Sequence, residues 1–409
     1  MARILLSAYA CEPGRGSEPG VGWSWAIELV RQGHEVTVIT RAANRQAIEQ
    51  ARQPSASPHF IYYDLPACGQ YLRRLPGGKR LYYVLWQWFA ARMLRKRFPT
   101  PPFHIVQHVT YVSARYPSFM GSLGIPFYFG PVSGGETVPQ RLRRGCSIRE
   151  LCRELLRDFS NRLLRFDPLM RRTFREASSI LVTPDTLRLL PRSVRDKATQ
   201  TLAVGLPPTP AEQGQVVAKG AKLRLLFVGR LLEWKGVDIA LRAVALTRQQ
   251  FPDLTFNIVG DGPARSRLER LCRQLELDDA VHWAGWVPQA RLGESYRDAD
   301  ALLFPSLRDS GGMVVLEALA HGVPVLCTDL GGPGLIVNRA CGRVAATSGR
   351  SREDVARQLS SAIVELATDA ELLSLLRRGA RLRAHEYSFE KLTLLVHPSP
   401  VALEVGSPA

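Results

Sequence analysis

Residues 304–326, FPSLRDSGGMVVLEALAHGVPVL, place two carboxylates, Asp309 and Glu317, with seven residues between them across a Ser-Gly-Gly turn. The pattern reads as the end of a strand, a polar turn, a helix and a second apolar strand. Ser310, Gly311 and Gly312 offer free backbone N–H groups at the helix N-terminus, where partial positive charge gathers and anions bind. Upstream, Gly229-Arg230 and Lys235-Gly236 bring two cations to the end of the apolar run LRLLFV. Cations, an anion-binding turn and carboxylates that accept hydroxyls suit a ligand carrying both phosphate and sugar, which points to a nucleotide sugar.

The elements that must position these groups alternate between the two periodicities. In the first half, strand-like runs fall at 3–8, 36–40, 60–63, 104–108, 126–129, 180–182 and 201–204. They are separated by helical stretches, two of them long and basic, at 79–98 and 136–177. The second half repeats the scheme, with strands near 224–228, 254–259, 280–283, 301–304, 324–327 and 341–345. Helices near 236–250, 264–276, 288–298 and 312–321 lie between them, and two more follow at 351–368 and 370–385. Such alternation implies parallel sheets with crossover helices, whose ligands sit beyond the carboxyl ends of the strands. Pro, Gly, Gln and Ala without apolar periodicity mark a linker at 206–222. The expected domains are 1–205 and 223–385, with a tail at 386–409.

These pieces together resemble the family 4 retaining glycosyltransferases, the glycosyl transferases group 1. The resemblance rests on GRLLEWKG at 229–236, VGDGP at 259–263, WAGWVP at 283–288 and the segment at 304–326. In the first half it rests on RILLSAYA, CEPGRGSEPGVGW, QHVTYVS and GPVSGGE, so that about residues 2–385 are covered. It implies an α/β GT-B fold, two Rossmann-like domains facing across a cleft. It also implies transfer of a hexose-type sugar from a nucleoside-diphosphate donor to a lipid-linked or saccharide acceptor. The family's first acid is usually Glu; Asp309 stands here, one methylene shorter. After Tyr387-Ser388-Phe389 the family usually continues with a helix that crosses back to the first domain. The prolines and weak helical pattern of LTLLVHPSPVALEVGSPA put that helix in doubt here.

The resemblance implies the following roles, residue by residue. Arg230 and Lys235 stabilise the leaving diphosphate as charge develops on it, without a metal. Glu317 accepts the ribose hydroxyls, and Asp309 lies by the donor sugar or serves as an anion at the helix N-terminus. Gly229, Gly311, Gly312, Met313 and Val314 give backbone contacts to the donor, and Trp286 and Val287 border the base. In the first half, Gly20 and Gly22 let backbone approach the donor, Glu18 and Glu136 sit on the acceptor side, and His108 faces the sugar or is a satisfied core histidine. Neither an Asp-x-Asp after a strand nor a His/Cys cluster is present, so neither a metal nor a cofactor beyond the nucleotide sugar is expected. Two other readings share the scaffold: a catalytically weak nucleotide-sugar-binding scaffold subunit, and a nucleotide-sugar epimerase, since fold alone does not define the reaction.

With 409 residues, 45 % hydrophobic and 22 % charged, the chain suits two globular domains. No apolar run approaches the roughly 20 residues that span a bilayer. The chain opens directly on a strand, without the features of a signal peptide, and its seven scattered cysteines read as reduced thiols. A cytoplasmic place, peripheral on the inner face of the membrane, is expected. The net charge of +17 includes eleven arginines within 141–175. It is read as a solvated basic face or as attraction to anionic lipid, the latter through an interfacial helix carrying Trp86, Trp88, Phe89, Arg92, Arg95, Lys96 and Arg97. No nucleic-acid-binding signature accompanies the charge.

Overall fold

The computed structural model describes residues 1–51, 57–206 and 222–397, apart from the side chains of Cys68 and Arg165. The linker expected at 206–222 lies almost wholly outside the described residues.

The fold is α/β, built on two parallel sheets. The first has seven strands: β1 (Arg3–Ser7), β2 (Glu35–Thr40), β3 (His59–Tyr62), β4 (Ile105–His108), β5 (Phe127–Val132), β6 (Ser179–Val182) and β7 (Ala198–Gln200), in the order β3-β2-β1-β4-β5-β6-β7. The second has six: β8 (Arg224–Val228), β9 (Thr255–Val259), β10 (Val281–Gly285), β11 (Ala301–Phe304), β12 (Val325–Thr328) and β13 (Gly342–Ala345), in the order β10-β9-β8-β11-β12-β13. The central strands are near-continuous aliphatic runs because helices cover both faces of a parallel sheet. Thus Ile4, Leu5 and Leu6 of β1, and Leu302, Leu303 and Phe304 of β11, are fully buried. The last strand of the first sheet falls at 198–200, just before the run expected at 201–204.

In each sheet the strand order reverses once, between β1 and β4 and between β8 and β11. The loops that leave these neighbouring strands diverge to opposite sides, which opens a crevice at their carboxyl ends. Ala301 pairs with the same Leu225 that faces Phe256 of β9, so the loops after β8 and β11 start side by side.

Contacts divide the chain into two compact units, and not where the sequence suggests. The first takes Met1–Gly135, Ser160–Pro207 and the segment that starts at Phe389; the second takes Glu136–Phe159 and Pro208–Ser388. Residues 136–159, expected in the first domain, therefore pack with the second. Polar bonds explain the attachment. The Ser147 N–H donates to Glu233 Oε2 at 2.8 Å, the Arg352 Nε to the Leu142 carbonyl at 2.8 Å, and Arg308 pairs with Glu154.

The tail also departs from expectation. Before its prolines it forms a helix, Phe389–Val396, which packs on helix Ser17–Arg31 of the first unit. The Phe389 ring meets Trp25 edge-on at 6.4 Å, and His397 Nε2 lies 2.6 Å from Gln107 Oε1. The helix ends at Val396, and the prolines that follow lie outside the described residues.

The two basic stretches differ in what they bury. In helix Gly78–Arg97, Trp86 is fully buried and its indole N–H donates to the Tyr63 carbonyl at 2.8 Å, while the other six residues expected on an interfacial face are exposed. Trp88 and Phe89 remain partly exposed. In helix Ile148–Leu163 the usual burial is inverted. Glu150 and Glu154 face inward, while Ile148, Leu156 and Phe159 are 83 %, 67 % and 58 % exposed.

Candidate active site in the second unit

Two loops converge beyond β8 and β11. The first runs from Gly229 through a 3-10 turn, Glu233–Lys235, to Gly236. Gly236 has a left-handed φ of +71°, and a Cβ there would lie 2.0 Å from the Pro305 carbonyl oxygen. Only glycine lets this loop press against the end of β11. The Leu307 N–H donates to the Trp234 carbonyl at 2.7 Å and locks the two together.

That contact sets Lys235 against Asp309. Their side chains form an ion pair, and the ammonium also lies 4.9 Å from the centroid of the Phe304 ring. The other oxygen of Asp309, Oδ1, accepts the N–H groups of Gly311 at 3.1 Å and Gly312 at 2.8 Å. Burial alone would raise the Asp309 carboxyl. Lys235 and the two N–H groups outweigh it and hold the group ionised, below its ordinary value. Asp309 thus occupies the Gly311 and Gly312 N–H groups that the sequence reading offered to a donor. What remains at the positive end of helix Met313–Ala320 is its first turn, the N–H groups of Met313 and Val314, which an α-helix cannot pair internally. Arg230, next to Gly229, is exposed and has no side-chain partner among the described residues. Gly229 itself has a φ of +149° and donates its N–H to the Val259 carbonyl at 2.9 Å.

Glu317 lies one turn into the same helix. Its Oε1 accepts from Gln289 Nε2 and its Oε2 from the Tyr296 hydroxyl, each at 2.8 Å. Burial raises its carboxyl, against the pull of these two donors. Gln289 and Tyr296 come from the connection between β10 and β11, and no spacing in the sequence links them to Glu317. Trp286 on that connection is 72 % exposed, an open ring with Val287 half-buried beside it.

Glu136, placed on the acceptor side of the first domain by the sequence, belongs instead to the second unit. It is buried, its carboxylate lies 3.9 Å from Arg157 and its carbonyl accepts from Arg157 Nε at 2.9 Å. Arg308, adjacent to Asp309, pairs with Glu154 and covers the Trp234 ring at 4.2 Å. This buried network supports the Asp309 turn from behind. Sequence reasoning missed Arg308 and Glu154 because they meet only through folding, 154 residues apart.

The expected residues of the first unit are arranged differently. Glu18 accepts the Tyr111 N–H at 2.9 Å, and burial raises its carboxyl. A Cβ on Gly20 would lie 2.0 Å from the Arg15 carbonyl oxygen, and one on Gly22 would lie 2.1 Å from that of Ala10. The close approach these glycines permit is to the chain's own loop. His108 is fully buried. Its Nε2 meets the Tyr83 hydroxyl at 2.9 Å, Gln87 Nε2 at 3.3 Å and the Thr110 carbonyl at 3.1 Å, while Nδ1 is buried without a partner. Burial pushes its pKa down to about 4, so the ring is neutral. The ring is enclosed by protein, with Nε2 bonded and Nδ1 without a partner among the described residues.

The parallel sheets and switch-point loops define a class, the GT-B glycosyltransferase fold. Residues 209–372 match the model of a family described as glycosyl transferases group 1. A D-inositol 3-phosphate glycosyltransferase of Catenulispora acidiphila is 37 % identical over 147 residues, 34 % of this chain and 31 % of that protein. The chain spans less than half the length of the curated relatives it matches. Among solved structures, sucrose-phosphate synthase from Thermosynechococcus elongatus shares the fold at a TM-score of 0.63 and 18 % identity, with both chains wholly covered. HepE from Anabaena, bound to UDP and glucose, does so at 0.57 and 15 %, again over the whole of both chains.

Proposed function

We propose that the protein is a retaining glycosyltransferase that moves a hexose-type sugar from a nucleoside-diphosphate donor to a hydroxyl of a saccharide or lipid-linked acceptor. The observation that carries this reading is the Lys235–Asp309 pair at the start of helix Met313–Ala320, with Arg230 open beside it. The diphosphate lies against Arg230, Lys235 and the Met313 and Val314 N–H groups, and Glu317 holds the ribose. Fixed cations and dipoles stabilise the charge that grows on the leaving oxygen more than they stabilise the bound donor, which lowers the barrier. Both oxygens of Asp309 are engaged by Lys235, Gly311 and Gly312, so it positions the cation rather than attacking the sugar. The acceptor oxygen bonds to the anomeric carbon on the face the diphosphate leaves, and the departing phosphate takes its proton. The UDP and glucose bound by HepE make uridine diphosphate sugars the donors to try first, and the likeness to D-inositol 3-phosphate glycosyltransferases puts inositol phosphate among the acceptors.

The test is transfer from a panel of nucleotide sugars to inositol phosphate, saccharide and envelope-lipid acceptors, each run with EDTA. Transfer that persists in EDTA is expected, since protein cations take the metal's place. Loss in EDTA with rescue by magnesium or manganese would refute the metal-free mechanism. Nucleotide binding without turnover on any acceptor would favour the scaffold reading.

An acceptor at the cytoplasmic face of an anionic membrane fits helix Ile148–Leu163, whose exposed Ile148, Leu155, Leu156 and Phe159 are interspersed with Arg149, Arg153 and Arg162. No described helix is long and apolar enough to cross a membrane, so contact would be interfacial. Pelleting with phosphatidylglycerol vesicles should weaken at least tenfold in Leu156→Ser/Phe159→Ser and be unaffected by Trp88→Ser. The reverse pattern would return the contact to the helix around Trp88.

A further inference from the structure

Away from Lys235 and Asp309, the second unit carries a cavity of about 460 Å³ walled by arginines. Arg141 and Arg144 come from the segment before helix Ile148–Leu163. Arg242 comes from helix Val237–Arg248, and Arg267 and Arg270 from helix Arg265–Gln274. The first turn of helix Arg352–Thr368 closes the wall with Arg352 and Glu353. None of the residues assigned above to the nucleotide sugar lines it.

Counting partners separates structural arginines from available ones. Arg352 pairs with Asp238, Arg267 with Glu233 at 2.9 Å, and Arg141 donates to the Gly349 carbonyl at 2.8 Å. Asp238 is thereby used, and Glu353 is exposed at the rim. Arg144, Arg242 and Arg270 have no side-chain partner among the described residues, and the Nε of Arg242 is buried without an acceptor. A solvated basic face would leave every donor in water. A buried, unmet guanidinium donor in a like-charged cavity instead costs free energy until an anion reaches it.

We propose that this cavity is a second anion site, for a group carrying two or more linked phosphates. Guanidinium forks match phosphate oxygens in pairs, and three unpaired forks exceed what a single carboxylate satisfies. The 17-residue helix Arg352–Thr368 starts at the wall, but Ser351 and Asp354 cap it and Glu353 lies in its first turn, so the arginines supply the site's positive charge. The volume falls within the roughly 300–1,000 Å³ common for small-ligand sites. The phosphates could belong to a soluble diphosphate or to a lipid headgroup, and the segment that supplies Arg141 and Arg144 leads directly into the exposed apolar helix Ile148–Leu163.

The test titrates the full chain with inorganic pyrophosphate by calorimetry, in a Lys235→Ala background that weakens the donor site. Binding should persist there and fall at least tenfold when Arg144→Glu and Arg270→Glu are added. Both positions are exposed, so the fold should hold, and an unchanged melting temperature checks it. If Lys235→Ala alone abolishes pyrophosphate binding, or the two glutamates leave it unaltered, the second site is refuted. Phosphatidylglycerol vesicles doped with a lipid diphosphate then identify the source. Displacement of bound vesicles by pyrophosphate, lost in Arg144→Glu/Arg270→Glu, assigns the site to a lipid headgroup; vesicle binding indifferent to those substitutions assigns it to a soluble diphosphate.

Discussion

The crevices at the switch points of the two sheets use similar sequence features to opposite ends. Beyond β8 and β11, the glycine that permits close packing, Gly236, lets Lys235 reach Asp309 and leaves Arg230 and Trp286 open. Beyond β1 and β4, Gly20 and Gly22 are filled by the chain's own carbonyls, and His108 is enclosed by Tyr83, Gln87 and Thr110. A glycine-rich loop after a strand is therefore compatible with either outcome. What separates them is whether a cation at the loop end stays without a partner, as Arg230 does among the described residues, or is paired, as Arg15 is with Glu12.

The largest effects should come from breaking the open crevice. Lys235→Ala and Glu317→Ala should each lower sugar transfer by about two orders of magnitude or more, the scale for losing one preorganised charge contact. His108→Gln should change the rate per folded molecule by less than about tenfold, since the ring touches only protein. Initial rates at equal folded concentration decide this. A His108 variant as impaired as the Lys235 variant would mean that the enclosed histidine opens to the substrate.

The two glycines sharpen the contrast. Gly20→Ala and Gly236→Ala both force a Cβ to 2.0 Å from a backbone oxygen, and the second adds a strained positive φ. Each should cost about 1–3 kcal/mol of stability, read by denaturant midpoint. Only Gly236→Ala should also reduce transfer per folded molecule, because it displaces Lys235. Equal catalytic loss in both would give the first loop a part in donor binding.

A last effect, on stability alone, concerns pH. Burial pushes the pKa of His108 down to about 4 and that of His397 to about 3, below the roughly 6.5 of an unfolded histidine. The neutral form is the folded one. Their contribution is complete above about pH 6.5 and is lost as pH falls toward 4, by about 2 kcal/mol each at pH 5. Unfolding followed between pH 7 and 5 should show a shallower decline in His108→Gln/His397→Gln than in the parent protein. Parallel curves would mean that these rings take up protons in the folded state.

Much of this protein was legible before folding. Aliphatic runs identified nearly every strand, because a strand buried on both faces has no room for polar side chains. Lys235, Asp309 and Glu317 stood out because short-range spacing around a turn survives into the structure almost unchanged. The tertiary structure alone decided the rest. Residues 136–159 joined the second unit because Ser147, Glu154 and Leu142 found Glu233, Arg308 and Arg352, distant partners that no local pattern encodes. Trp86 and Phe159 look alike in sequence, each an aromatic in a basic helix. One was buried and the other exposed by the direction in which its helix turned its face. Local spacing determines which groups are close to a strand end; whether they meet solvent, ligand or one another depends on packing among segments hundreds of residues apart.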